Sequence, residues 1–118
     1  MPKYCARSTA SIALTARRFG YRLHGHDIVI KLCIDTNEVI NLTEFSGLVK
    51  QVVSRYDRIL LEDIIGDDAI IEDLLARILS EMKNSLATRG VAFNDLWCEA
   101  SIPDGDIIVS IGELAEKG

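Results

Sequence analysis

The sequence predicts an α+β domain of order ββααββ, a four-stranded antiparallel sheet with two helices on one face. Three patterns carry this. From Asp27 to Asp35 the residues alternate, with Ile28, Ile30, Leu32 and Ile34 on one parity and Asp27, Val29, Lys31 and Cys33 on the other. A strand lying on a core requires that alternation. Phe45 to Tyr56 and Ile70 to Met82 instead repeat their apolar residues at helical spacing. One pair of strands precedes the two helices and another follows, the arrangement of a segregated α+β domain.

The elements follow in order. Residues 4–14 are small, β-branched or apolar and suit a first strand, and Thr15 to Arg22 suits a loop with Gly20 as its flexible point. The alternating run from Asp27 is the second strand. Asn41 followed by Glu44 has the spacing of a helix-opening capping box, and Phe45, Leu48, Val49, Val52, Val53 and Tyr56 form the apolar stripe behind it. Gly66, Asp67 and Asp68 break the chain and offer a cap to the second helix. Gly90 ends that helix, Val91 to Ser101 reads as the third strand, and Pro103-Asp104-Gly105 turns it into a fourth over Ile107 to Ile111.

The 118 residues make one domain, 1–118, and its 48% apolar content with eight Gly and two Pro supports a packed core. A net charge of −5 excludes the basic stripe that nucleic acid demands, since Arg17, Arg18 and Arg22 form only a small cluster. No apolar run has signal-peptide character or membrane-spanning length. Cys5, Cys33 and Cys98 are odd in number and widely spaced, which predicts reduced thiols and a soluble, cytoplasmic protein.

The run Leu23-His24-Gly25-His26-Asp27 carries both histidines of the chain. Two residues apart at a strand start, His24 and His26 share one face and suit a borderline-soft ion such as zinc. Asp27 takes the opposite face.

Leu23-His24-Gly25-His26, leading into an apolar strand and then an amphipathic helix, resembles the 6-pyruvoyltetrahydropterin synthase family, including the bacterial 6-carboxytetrahydropterin synthases. The resemblance continues in order along the chain. Val39-Ile40-Asn41-Leu42 falls at the family's strand-ending Ile/Val-x-Asp-Phe, Tyr56-Asp57-Arg58 at its Leu-Asp-His, Ile71-Glu72-Asp73 at its Thr-x-Glu-Asn, and Cys98-Glu99-Ala100 at its Glu-Thr pair.

The resemblance implies a tunnelling fold, whose subunits pair their sheets into rings that stack, so a homo-oligomer such as a hexamer of stacked trimers is expected. It implies a pterin or purine-like ligand whose N–H edge pairs with Glu99, a carboxylate able to take two parallel donors. Family zinc is held by three histidines. His24 and His26 match two of them, while the third falls near Ser11-Ile12-Ala13, where this chain has none, so the zinc site is reduced to a half-site. The family's thiolate base falls near Gly20, flanked by Phe19 and Tyr21, and its Asp-His pair falls at Asp57 and Arg58. Asp57 and Tyr21 are therefore the candidate proton carriers, because Arg58 stays protonated. Lyase chemistry on a dihydroneopterin derivative is the catalytic form of this expectation. A non-catalytic structural or interaction paralogue is the alternative.

Overall fold

The first two strands, β1 (Lys3–Leu14) and β2 (His24–Asp35), pair antiparallel along their whole length in the computed structural model, from Lys3 opposite Asp35 to Leu14 opposite His24. The structure describes residues 3–14, 24–67, 69–101 and 107–114. The expected loop Thr15 to Arg22, with Gly20 and Tyr21, then Leu23, Asp68 of the expected cap, and the expected turn at Pro103-Asp104-Gly105 lie outside them.

After β2, Thr36 is fully buried, and its hydroxyl donates to Ala92 O at 2.6 Å. Helix α1 (Leu42–Ser54) opens as expected on Asn41, whose Oδ1 accepts from Thr43 N at 2.8 Å and Glu44 N at 3.1 Å. Two unforeseen short elements follow, strand β3 (Ile59–Leu60) and helix α2 (Leu61–Ile64). A two-residue strand is too short to leave a periodic signature. It pairs parallel to β1 at Ile12 and Ala13, which makes the sheet five-stranded and mixed while its four long strands remain antiparallel.

Helix α3 (Ile71–Thr88) runs longer than its apolar stripe suggested and is capped differently. Ile70 is the N-cap, and the Asp73 carboxylate three residues on accepts from its N–H at 2.9 Å, replacing the cap expected at Gly66 to Asp68. Strands β4 (Asp95–Ser101) and β5 (Ile107–Leu114) complete the sheet in the order β3-β1-β2-β4-β5. The third strand thus begins at Asp95 rather than Val91, because Val91 N is used by Leu86 O to close α3.

The core lies between the sheet and the helices. Ile28, Ile30, Leu32 and Ile34 of β2 have no solvent exposure and meet Val49, Val52 and Val53 of α1 and Leu74, Leu75, Ile78 and Met82 of α3 in one cluster. Each such side chain contributes about 1.5–3 kcal/mol on burial, which locks the register, since a one-residue slip would turn the whole row to the other face. The helix-free face carries the odd positions of β1, β2 and β4, among them Cys5, Arg7, Lys31, Cys33, Trp97 and Glu99. Gly112 of β5 lies opposite Trp97, where an added Cβ would come within 3.2 Å of the tryptophan Cβ.

One expectation from the cysteines is overturned. Cys5 and Cys33 are directly opposed across β1 and β2 and are joined as a disulfide, leaving Cys98 as the free, buried thiol. Spacing along the chain could not reveal this, because the antiparallel register brings together residues 28 apart. The cysteine argument for a reducing compartment goes with it.

Candidate functional site

Strand β4 alternates strictly, sending Leu96, Cys98 and Ala100 into the core and leaving Trp97 and Glu99 on the helix-free face. Glu99 stands opposite Lys31 of β2 and Ser110 of β5. Lys31 Nζ lies 3.4 Å from Glu99 Oε1, and the Glu99 side chain is 18% exposed. Trp97 walls the same face one register step away, with Lys3 Nζ 5.4 Å from its ring centroid. The charge of Glu99 is therefore already partnered in the chain. Its second oxygen adds lone pairs that can accept N–H donors from a flat guest.

A second grouping lies where α1 hands the chain back to the sheet. Tyr56, 3% exposed, anchors the exit, and its hydroxyl accepts from Arg77 Nε at 3.2 Å. Burial raises the pKa of that hydroxyl, with a further rise from Glu81. Arg58 then adopts φ +59°, a left-handed conformation uncommon for a residue with a Cβ, and its N–H donates to Ser11 O at 2.6 Å. Asp57 Oδ1 accepts from Ser11 N at 2.7 Å, and Ser11 Oγ donates to Asp27 Oδ1 at 2.5 Å. These bonds set β3 beside β1 and leave a cleft of about 460 Å³ lined by Ser11, Ile12, Gly25, Asp27, Arg58 and Leu60. Asp57, the expected proton carrier, holds a backbone amide here.

His24 and His26 take the register positions opposite Leu14 and Ile12. Ile12, 3% exposed, therefore occupies the place where a third histidine was expected. Its neighbour Ser11 is committed to Asp27, and Cys5, the other soft donor of β1, is bonded to Cys33. Among the described residues no group of three or more His, Cys, Asp or Glu converges on a metal position. A side chain without a donor atom at Ile12 does not fit a three-histidine zinc centre.

Nor do the two candidate regions meet within one chain. Lys31, the cross-strand partner of Glu99, is five residues beyond His26 on β2. At about 3.4 Å per residue that is roughly 17 Å of strand. Tyr21 lies outside the described residues. What sequence reasoning missed is Lys31 as the partner of Glu99 and Ser11 as the hub between Asp27 and Asp57, both of which depend on register. A larger groove of about 560 Å³, on the helix side between α1 and the end of α3, is lined by Val39, Glu44, Gly47, Gln51, Arg89 and their neighbours, and includes none of the candidate residues.

No family model and no curated protein matches the sequence. Solved structures do match in shape. 6-Pyruvoyl tetrahydropterin synthase from Plasmodium vivax superposes with a TM-score of 0.75 at 15% identity, covering 97% of this chain and 98% of that one. The Plasmodium falciparum enzyme gives 0.73 at 15% identity, with the same shares of each chain. A catalytic-residue mutant of the Plasmodium vivax enzyme gives 0.70, again at 15% identity and with those shares. With the strand order, the helices on one face and the near-complete coverage in both directions, this chain has the fold of the 6-pyruvoyl tetrahydropterin synthases.

Proposed function

We propose that this protein binds a pterin or purine-like heterocycle through Glu99, as a divergent relative of the synthases whose fold it shares. The observation that carries the reading is the Glu99 carboxylate, held on a flat strand face beside Trp97 and only 18% exposed. An amino-pyrimidine edge presents two parallel N–H donors, and a carboxylate accepts such a pair with charge-assisted strength. Lys31 occupies one oxygen, so the guest either shares Oε1 with it or displaces it.

Asp57 is engaged by Ser11 N, Arg58 cannot exchange a proton at neutral pH, and Ile12 supplies no third ligand to zinc at His24 and His26. Those substitutions favour binding without the ancestral chemistry. A structural or interaction role is the second reading, favoured by the Lys31–Glu99 pair, which satisfies the carboxylate with no guest.

Self-assembly belongs to the same proposal. Among the described residues β1 pairs on its outer side only at Ile12 and Ala13, and β5 pairs only with β4. Long open edges invite strand pairing, and edge-to-edge closure into a ring of copies would cover them. Such a ring would also let Glu99 of one copy approach the His24 end of another. Native mass spectrometry should give a closed oligomer such as a hexamer, and a monomer at all concentrations would remove this part.

Calorimetry with neopterin, guanine and a sugar control tests the ligand. Heat with the heterocycles, lost in Glu99→Gln, is the expected result. No heat with wild type and Glu99→Gln alike would leave the structural reading in its place.

A further inference from the structure

We infer that Cys5 and Cys33 form a reversible thiol–disulfide couple whose state is felt on the helix-free face beside Trp97 and the Lys31–Glu99 pair. Four observations carry it. The two cysteines are opposed in the ladder, with Cα atoms 4.1 Å apart, so they meet without any rearrangement of the fold. Cys33 is 1% exposed while Cys5 is only partly buried, which gives an incoming reagent one sulfur to attack and leaves the other as the resolving partner. Lys3, Arg7 and Lys31 flank the pair on the same face, two residues away along β1 and β2, and positive charge favours the thiolate that does the attacking. Three carboxylates near the pair share that face, Asp35, Asp95 and Glu99, but Asp95 and Glu99 stand on β4, one strand further from Cys5, and Glu99 is paired with Lys31. Finally, β1 and β2 remain joined along their whole length without the bond, so its loss leaves the sheet standing.

The step balances with a low-molecular-weight disulfide as oxidant. The Cys5 thiol gives its proton to solvent, and its thiolate attacks one sulfur of glutathione disulfide. That S–S bond breaks, and one glutathione thiolate leaves to be protonated. The Cys33 thiolate then attacks the Cys5 sulfur of the mixed disulfide, forming the Cys5–Cys33 bond and expelling the second glutathione. The protein loses two protons and two electrons, and glutathione disulfide gains them. A dithiol reverses the sequence.

The consequence is local. Cys33 stands directly across from Trp97, and Lys31 and Glu99 form the next pair along the same two strands on that face. When the bond opens, two thiols must fit where one bridge stood, and Trp97, directly across from Cys33 in the ladder, is the large side chain placed to feel the change. The couple does not depend on Glu99 taking a heterocycle.

Trp97 is the only tryptophan in the chain, so its emission reports the switch directly. The full-length protein is equilibrated with glutathione disulfide or with dithiothreitol, followed by fluorescence and circular dichroism, then denatured, alkylated and weighed. The expected result is one alkyl group after oxidation, at Cys98, and three after reduction, with interconversion in both directions. Trp97 emission should rise on reduction while the circular dichroism stays that of the folded protein. Cys5→Ser, with Cys5→Val as the apolar replacement should the serine fail to fold, should abolish the fluorescence response. Three alkyl groups after glutathione disulfide would overturn the couple, as would one after dithiothreitol on the folded protein. Unfolding on reduction, or emission that does not differ between the two forms, would overturn the switch.

Discussion

Lys31 Nζ lies 3.4 Å from Glu99 Oε1 across the β2–β4 ladder, so the carboxylate best placed to anchor a ligand already has a cation of its own chain beside it. A guest bonding to both oxygens must compete with that cation. Lys31→Met should therefore tighten heterocycle binding, while Glu99→Gln abolishes it. Opposite signs in calorimetry are the expected outcome, and loss in both variants would mean that Lys31 contacts the guest itself. The pair is partly exposed, so Glu99→Gln alone should cost only about 1 kcal/mol of folding stability in urea titrations.

Cys98 makes stability depend on alkaline pH. Burial, with a smaller contribution from Glu99, pushes its thiol from 9.0 up to about 12. Between those values the unfolded chain releases this proton and the folded chain keeps it. The contribution of the neutral buried thiol is therefore complete below pH 9 and is lost as pH rises from 9 to about 12, at up to about 1.4 kcal/mol per pH unit. Tyr56, also raised by burial, adds a loss of the same sign as pH rises above 10. Melts between pH 8 and 11 should show the decline, and Cys98→Ala should flatten its first part.

The Asn41 cap offers a plain stability test. Its Oδ1 accepts from two of the amides that the first turn of α1 leaves without helical partners. Asn41→Ala should cost about 1 kcal/mol, and Asn41→Asp should retain the cap and gain from the helix dipole. Equal stability in all three would show that water serves these amides as well as the side chain does.

Those elements were legible for physical reasons that also mark what was not. Ile28 to Ile34 and the stripe from Phe45 to Tyr56 are long enough for burial to impose a period on the residues. Asn41 caps its helix through atoms two and three residues away, within reach of a local reading. Strand β3 holds two residues and is placed by Ser11, 46 positions from Asp57, so no local pattern could announce it. Register hid the rest. The Cys5–Cys33 bond, the Lys31–Glu99 pair and the placing of Ile12 opposite His26 all follow from which residues of two strands meet. The candidate residues could be named from the sequence, but what each one touches could not.

Arg58 gives the sharpest test of the cleft beside Ser11. Its φ of +59° costs an L-residue roughly 1–2 kcal/mol, and the bonds around it, Arg58 N to Ser11 O and Ser11 N to Asp57, keep it there. Glycine has no such penalty, although it also frees the unfolded chain. Arg58→Gly should therefore be neutral to stabilising by up to about 1 kcal/mol, whereas Arg58→Val, with a branched Cβ in the same conformation, should destabilise by more than 1 kcal/mol. Asp57→Ala should destabilise as well, because Ser11 N loses its acceptor, with amide exchange rising first at Ser11 and along β3. If Arg58→Gly instead unfolds the protein, the guanidinium rather than the backbone conformation holds this turn.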